Sequence, residues 1–142
     1  MQGEKSVVSW RIYLSGGENR MRVCILENGR QRSQVHLLSW LYEKKDVEEI
    51  TFVKNQIQFM ERVGSDPPDI AFIRLSSDEP IGLSILETLH KNGENTEVIF
   101  ISEVDGYALE AYKAGASGYL VEPLEKRKFE SCYSKLLNLK DK

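Results

Sequence analysis

The chain has 142 residues, which suits one domain with a single hydrophobic core. Its 19 basic and 22 acidic residues nearly balance, and its longest basic run, 126–128, is flanked by acidic side chains, which favours a solvated helix face over a nucleic-acid surface. Neither a membrane span nor a signal peptide is evident, so we expect a cytoplasmic chain in which Cys24 and Cys132 are reduced.

Five short apolar runs alternate with five helical patterns along the chain. The runs predict strands at 23–26, 50–53, 70–75, 98–101 and 118–121. The third run lacks polar alternation, which indicates burial on both faces and therefore a central parallel strand. This alternation predicts a flavodoxin-like, doubly wound α/β fold, with a five-stranded parallel sheet in the order 2-1-3-4-5.

Each helical pattern has apolar residues at helical spacing. The marker residues are Val35, Leu38, Leu41 and Tyr42 in the first helix, Ile57, Met60 and Val63 in the second, the stretch 81–91 in the third, Tyr107, Leu109, Ala111, Tyr112 and Ala114 in the fourth, and Phe129, Cys132, Tyr133, Leu136 and Leu137 in the last. Glycines follow the second, third and fourth patterns, as expected where helices end.

Residues 1–20 form an N-terminal extension to a domain predicted at 21–140. The run 7–14 fits either an additional edge strand or a short helix, and 15–20 fits a turn or linker. A further hypothesis is that Met21 is the native start and that the preceding codons are a ribosome-binding sequence translated in frame.

From Met21 to about Leu139 the chain resembles the receiver domains of bacterial response regulators, especially those that precede LytTR-type DNA-binding domains. Three segments carry the resemblance: 68–73 (PDIAFI), 98–102 (VIFIS) and 107–123 (YALEAYKAGASGYLVEP). The spacing agrees as well, because Gly82 lies eight residues after Arg74 and Glu122 lies 20 residues after Ser102.

In that family, two acidic residues after the first strand hold magnesium together with an acceptor aspartate after the third strand. A hydroxyl, an aromatic residue and a lysine complete the site. By resemblance, these positions are held by Glu27 and Asn28 (acidic pair), Arg74 (acceptor), Ser102 (hydroxyl), Tyr119 (aromatic) and Glu122 (lysine). We therefore predict a degenerate receiver that lacks the phosphoacceptor.

These departures change the charge of the pocket. The family's three carboxylates and one lysine carry two net negative charges, whereas Glu27, Asn28, Arg74 and Glu122 carry one, and arginine keeps its proton. We predict an ion pair from Arg74 to Glu27 or Glu122, with the guanidinium in the space of the metal. The alternative is an Arg74 side chain that points into solvent. We expect no catalytic residues, no bound metal and no other cofactor.

Other chemistry-bearing residues lack suitable partners. Asp69 lies at the wrong end of its strand, and Asp78 and Asp105 have no neighbouring acidic pair, so none is expected to replace the acceptor. His36 and His90 are isolated in the sequence, and neither is placed to activate a serine.

The switch or interaction residues implied by the resemblance are Tyr107, Tyr119 and Lys126. In related receivers the fourth helix, fifth strand and fifth helix form the partner or dimer face, and the mixed charges here suit protein contacts. We predict a protein partner or homodimer on this face, with no membrane and no direct nucleic-acid binding by this segment. The alternative is that the tyrosines, Tyr112 in particular, are packing residues.

The leading hypothesis is a non-enzymatic, phosphorylation-independent receiver-like domain that signals by protein contact. A second hypothesis is an anion sensor in which Arg74 and Ser102 bind the ligand. A weaker one is a receiver that is phosphorylated on an unexpected residue. Because the sequence ends just after the last helix, both a truncated transcriptional response regulator and a stand-alone protein stay open.

Overall fold

The structure, a computed structural model, describes residues 10–13, 21–27, 32–75, 83–91 and 95–140. The strands within these ranges are β1 (Trp10–Tyr13), β2 (Met21–Leu26), β3 (Val47–Val53), β4 (Ile70–Arg74), β5 (Glu97–Ser102) and β6 (Gly118–Val121). The helices are α1 (Arg32–Tyr42), α2 (Gln56–Ser65), α3 (Leu83–Lys91), α4 (Ala108–Lys113) and α5 (Lys126–Lys140).

The strands form one sheet with the order β1-β3-β2-β4-β5-β6. Strands β2 to β6 are parallel and correspond to the five predicted strands, so the predicted order 2-1-3-4-5 is confirmed. Within the N-terminal run, residues 10–13 adopt the strand alternative, because Trp10–Tyr13 pairs antiparallel with the outer side of β3; the rest of the run lies outside the described residues.

Two apolar cores lie on the two faces of the sheet, as expected for parallel strands whose neighbouring side chains point to opposite faces. On one face, Ile25 and Phe72 pack with residues of α1 and α5, including Leu37 and Phe129. On the other face, the strand residues Leu26, Ala71, Ile73 and Phe100 pack with Phe59 of α2, Leu86 of α3 and Ala111 of α4. The predicted central strand β4 is buried along its full length.

The predicted apolar face of α1 is wrong in part. Val35 is 70% exposed and Tyr42 is 54% exposed, whereas Leu37 and Leu41 are fully buried. The helix carries two adjacent apolar stripes, and a period of 3.6 residues fits both, so spacing alone does not show which stripe faces the sheet. Ile57 of α2 and Leu109 of α4 are also exposed, although both belong to the predicted helical patterns.

Candidate functional site

Polar side chains from four neighbouring parallel strands meet at one edge of the sheet. Glu27 follows β2, Arg74 ends β4, Ser102 ends β5 and Glu122 follows β6. Glu27, Arg74 and Ser102 are buried, although all are polar or charged. Because the carboxyl ends of parallel strands lie on the same side, the predicted pocket residues lie at the same ends of their strands, apart from Asn28, which lies outside the described residues.

Arg74 and Glu122 form an ion pair with two contacts. The Arg74 Nη2 atom donates to Glu122 Oε1 at 2.6 Å, and Nε donates to Oε2 at 3.3 Å. Their side chains are 8% and 12% exposed, so the pair is largely shielded from water. The predicted contact between Arg74 and Glu122 is therefore present, and the alternative of a solvent-directed Arg74 side chain is wrong.

The backbone fixes both partners of this pair. The strand ends are joined by a hydrogen bond from the Leu75 N–H to the Ile101 carbonyl at 2.7 Å, just after Arg74. The Glu122 N–H donates to the Ser102 carbonyl at 2.8 Å, and the Glu122–Pro123 peptide bond is cis. The pairing of β4 and β6 with β5 therefore places both side chains at the carboxyl ends of the strands, although β4 and β6 are not neighbours.

Glu103 is a member of the site that the sequence analysis missed. Its Oε2 atom lies 3.5 Å from Arg74 Nη2, and its side chain is half-exposed. The available signal was its position directly after Ser102, at the end of a strand that was already assigned to the site. We call Glu27, Arg74, Ser102, Glu103 and Glu122 the strand-end cluster.

Including Glu103 corrects the charge count made from the sequence. Three carboxylates and one guanidinium give the described strand-end cluster two net negative charges, the same as the family's pocket. Net charge therefore does not separate this site from a metal-binding one. The difference is the position of the cation, because the guanidinium of Arg74 is built into the strand end and held by Glu122.

The magnesium site of the receiver family does not fit these residues. Magnesium takes oxygen ligands, and the residue at the acceptor position offers N–H donors instead. Glu122 already accepts two of those donors. Among the described residues, no three histidine, cysteine or acidic side chains are grouped so as to hold a metal ion.

A chain of hydrogen bonds connects the strand-end cluster to the loop between β5 and α4. The Ser102 hydroxyl oxygen accepts from the Val104 N–H at 3.1 Å. The Tyr119 hydroxyl donates to the Val104 carbonyl at 2.6 Å. Glu103, which contacts Arg74, lies between Ser102 and Val104 in the chain. Arg74 and Tyr119 therefore both contact the same short loop.

The three predicted interaction residues lie in different surroundings. Tyr107 and Tyr119 are half-buried and pack against the core on the α4 side of the sheet. The Lys126 ammonium group donates to Glu43 Oε1 at 2.9 Å, so this exposed side chain is engaged within the chain. Lys126 therefore points toward the segment after α1.

Exposed apolar side chains cluster in sequence around α4 and β6. They are Val104, Leu109, Tyr112 and Val121, with exposures from 37% to 65%. Tyr112 is half-exposed, so about half of its side chain packs within the domain, and its interpretation as a packing residue stays a prediction. Its neighbour in the helix, Ala111, is the buried residue that contacts the core.

The doubly wound sheet, with its polar cluster at the carboxyl ends of the strands, defines a receiver-type α/β domain. The chain belongs to the response regulator receiver domain family, whose model matches residues 23–133. It is thus the receiver domain of a two-component response regulator. No helix among the described residues is long and apolar enough to cross a membrane.

Similar proteins come from several bacteria. An uncharacterized response regulatory protein of Vibrio cholerae is 25% identical over 82% of this chain and 49% of its own length. The sensory transduction protein LytR of Staphylococcus epidermidis is 23% identical over 74% of this chain and 42% of its own. The chain thus spans about half the length of these relatives.

A solved receiver structure also shares the fold. The response regulator receiver protein from Pseudoalteromonas atlantica superposes with a TM-score of 0.70 at 21% identity. The match covers 82% of this chain and 97% of that protein. At this identity the likeness concerns the fold alone.

Proposed function

We propose that this receiver domain signals through protein contacts and without aspartyl phosphorylation. The observation that carries the proposal is the Arg74–Glu122 ion pair at the acceptor position, with a 2.6 Å contact between Nη2 and Oε1. A guanidinium is not a phosphoryl acceptor, and it keeps its proton at any physiological pH. In this proposal the domain has no enzymatic activity and needs no metal.

The ion pair supplies a fixed state in place of a phosphorylation switch. Breaking a largely buried pair costs about 3–5 kcal/mol, because the remaining charge is stranded away from water. Glu103 and the Ser102–Val104 hydrogen bond extend that restraint to the loop before α4. We infer that this loop, together with Tyr119, keeps one arrangement instead of alternating between two.

The surface proposed for the partner is the α4–β6 side of the domain. Leu109 of α4 is 65% exposed and Tyr112, three residues later, is 51% exposed, so both lie on one helix face. Val121 adds an exposed apolar residue at the end of the edge strand β6. The proposed partner is a second copy of the domain or another protein with an apolar contact surface.

Incubation with acetyl phosphate and magnesium, followed by intact-mass measurement, tests the absence of phosphorylation. We expect the mass of the wild-type chain to stay unchanged. A phosphorylatable receiver treated in the same tube serves as the positive control. Gain of one phosphoryl group by this chain, mapped to any aspartate, would refute the proposal and support the third hypothesis above.

An anion sensor is less well supported. Both contacts of the Arg74 side chain with Glu122 would have to be exchanged for contacts with the ligand. Within the part of the chain that the structure describes, no contact favours replacing Glu122 by an anion. A thermal-shift panel of metabolites and nucleotides distinguishes the two functions, because only the sensor gains stability from a small anion.

We also propose that the domain is of the kind that precedes LytTR-type DNA-binding domains. This proposal predicts that the reading frame of the native gene continues past Lys142 into a DNA-binding domain. Sequencing the gene through this point tests the prediction, and a stop codon directly after Lys142 would favour a stand-alone domain.

A further inference from the structure

A second group of buried polar and charged side chains lies between β3 and α2, on the β1 side of the sheet. Glu49 and Thr51 project from β3, and Arg62 projects from α2, each 4–6% exposed. Arg62 Nη1 donates to the Thr51 hydroxyl oxygen at 3.2 Å, and Nη2 lies 3.5 Å from Glu49 Oε1. This buried pair is remote from the strand-end cluster in the fold.

The buried pair is held loosely. Among the described residues, Arg62 Nε and Nη2 have no hydrogen-bond acceptor, and the Glu49 contact is at the long end of an ionic interaction. Removing charges from water is costly unless close contacts and complete hydrogen bonding compensate. Water would therefore solvate this arginine better than the closed structure does.

Strand β1 covers the edge of the sheet at this point. It pairs with β3 over four positions, with Tyr13 opposite Glu49 and Arg11 opposite Thr51 in the register. Without β1, β3 would be the outermost strand, and Glu49 and Thr51 would lie at the rim of the sheet. The receiver family model begins at residue 23, so β1 lies outside the matched segment.

We propose that the outer edge of β3 is a strand-binding surface, that the chain's own residues 10–13 occupy it, and that the Glu49–Arg62 pair keeps this closure easy to open. Opening restores water to the guanidinium, which offsets part of the cost of losing four backbone pairings. In this proposal residues 10–13 have a role in the domain, because they cover the outer edge of β3. That role disfavours the hypothesis that Met21 is the native start. The proposal does not depend on the strand-end cluster.

Hydrogen exchange of the full chain measures this opening directly. Within Glu49–Phe52 of β3, the amides that face β1 should exchange at least about tenfold faster than those of β4, which serve as the internal reference because β4 is central. Equal protection of the two strands would overturn the proposal, since β1 would then open only when the whole sheet unfolds.

Two substitutions of the buried pair should shift the exchange in opposite directions. In Glu49→Leu/Arg62→Met, opening exposes apolar groups instead of charges, so β3 exchange should slow by about tenfold or more. In Glu49→Gln the arginine loses its counter-charge, so β3 exchange should become faster. Shifts of the same sign, or none in either variant, would overturn the role given to the pair.

The chain offers a matched control and an independent variant of the strand. Glu43→Leu/Lys126→Met makes the same kinds of change at an exposed ion pair and should leave β3 exchange unchanged. Neighbouring strand residues direct their N–H groups alternately toward and away from the partner strand. Of Arg11→Pro and Ile12→Pro, one should therefore abolish the protection of the β3 amides that face β1, and the other should have the smaller effect; equal, negligible effects would contradict closure by β1.

Discussion

Arg74 and Glu122 are joined through two contacts, at 2.6 and 3.3 Å, although strand β5 lies between the strands that carry them. The pair spans the part of the sheet where a receiver would hold its acceptor aspartate and its lysine. In the proposed function, this reversed ion pair takes the place of an arrangement that in the family depends on magnesium and a phosphoryl group.

Arg74→Asp should destabilise the domain strongly. The substitution removes the cation and adds a fourth carboxylate to the strand-end cluster, so we expect the free energy of unfolding to fall by about 3–5 kcal/mol in chelator. Magnesium should restore part of the loss, because oxygen ligands then surround the site. Thermal melts with and without magnesium measure both effects, and an unchanged melting temperature in both buffers would contradict the importance of the pair.

Exchanging the charges of Arg74 and Glu122 should destabilise the domain less than removing either charge alone. We expect Arg74→Glu/Glu122→Arg to recover part of the stability that either single substitution removes, with a coupling energy of about 0.5–3 kcal/mol. The Lys126–Glu43 pair is a suitable comparison, because both side chains are half-exposed and its coupling should be about 0–1 kcal/mol. Equal coupling in the two double-mutant cycles would show that burial adds nothing at the strand ends.

The α4–β6 surface should be sensitive to charge. Leu109→Glu introduces a carboxylate into the proposed contact and should weaken self-association or partner binding by at least about tenfold. Val35→Glu is the matched control, because Val35 is similarly exposed but lies on α1. Sedimentation equilibrium or a two-hybrid assay provides the measurement, and similar losses in both variants would argue against a specific surface.

The buried thiol of Cys24 predicts a loss of stability at high pH. Burial raises the pKa of this thiol from 9.0 to about 12. Between these values the unfolded chain loses the thiol proton while the folded chain keeps it, so the free energy of unfolding falls as the pH rises. The contribution is fully present below pH 9, where both forms are protonated.

Cys24→Val should flatten this pH dependence. Between pH 9 and pH 11 the variant should lose about 1–3 kcal/mol less stability than the wild type, as measured by urea unfolding. Tyr133, whose pKa is raised by burial and by its hydrogen bond to Asp46, should continue to contribute in both proteins. Parallel pH profiles would show that the Cys24 thiol ionises equally in both states.

The strands were more predictable than the helix faces. The uninterrupted apolar run 70–73 has no polar face that could be exposed to water, so the sequence predicts a central strand. Helix α1 is apolar on two stripes, and the choice of Leu37 over Val35 for the core depends on how the helix packs on the sheet. That packing is long-range information that local spacing lacks.

The predicted strand order was sufficient to place most residues of the strand-end cluster at the same ends of their strands. Once parallel strands are placed side by side, Glu27 and Glu122 are the acidic residues at the same strand ends as Arg74, and the sequence does not choose between them. Glu103 was missed because it is a loop residue whose side-chain direction depends on the turn after β5. The buried Glu49–Arg62 pair gave no sequence signal, because it joins a strand and a helix through the fold.

Titration of the wild-type domain with magnesium, followed by backbone amide NMR, is the most direct test of a guanidinium in place of the metal. We predict no saturable shifts at Leu75, Ser102 or Glu122 in the wild type, and saturable shifts at these positions in Arg74→Asp. Saturable magnesium-dependent shifts at the strand ends of the wild type would contradict the replacement of the metal by Arg74.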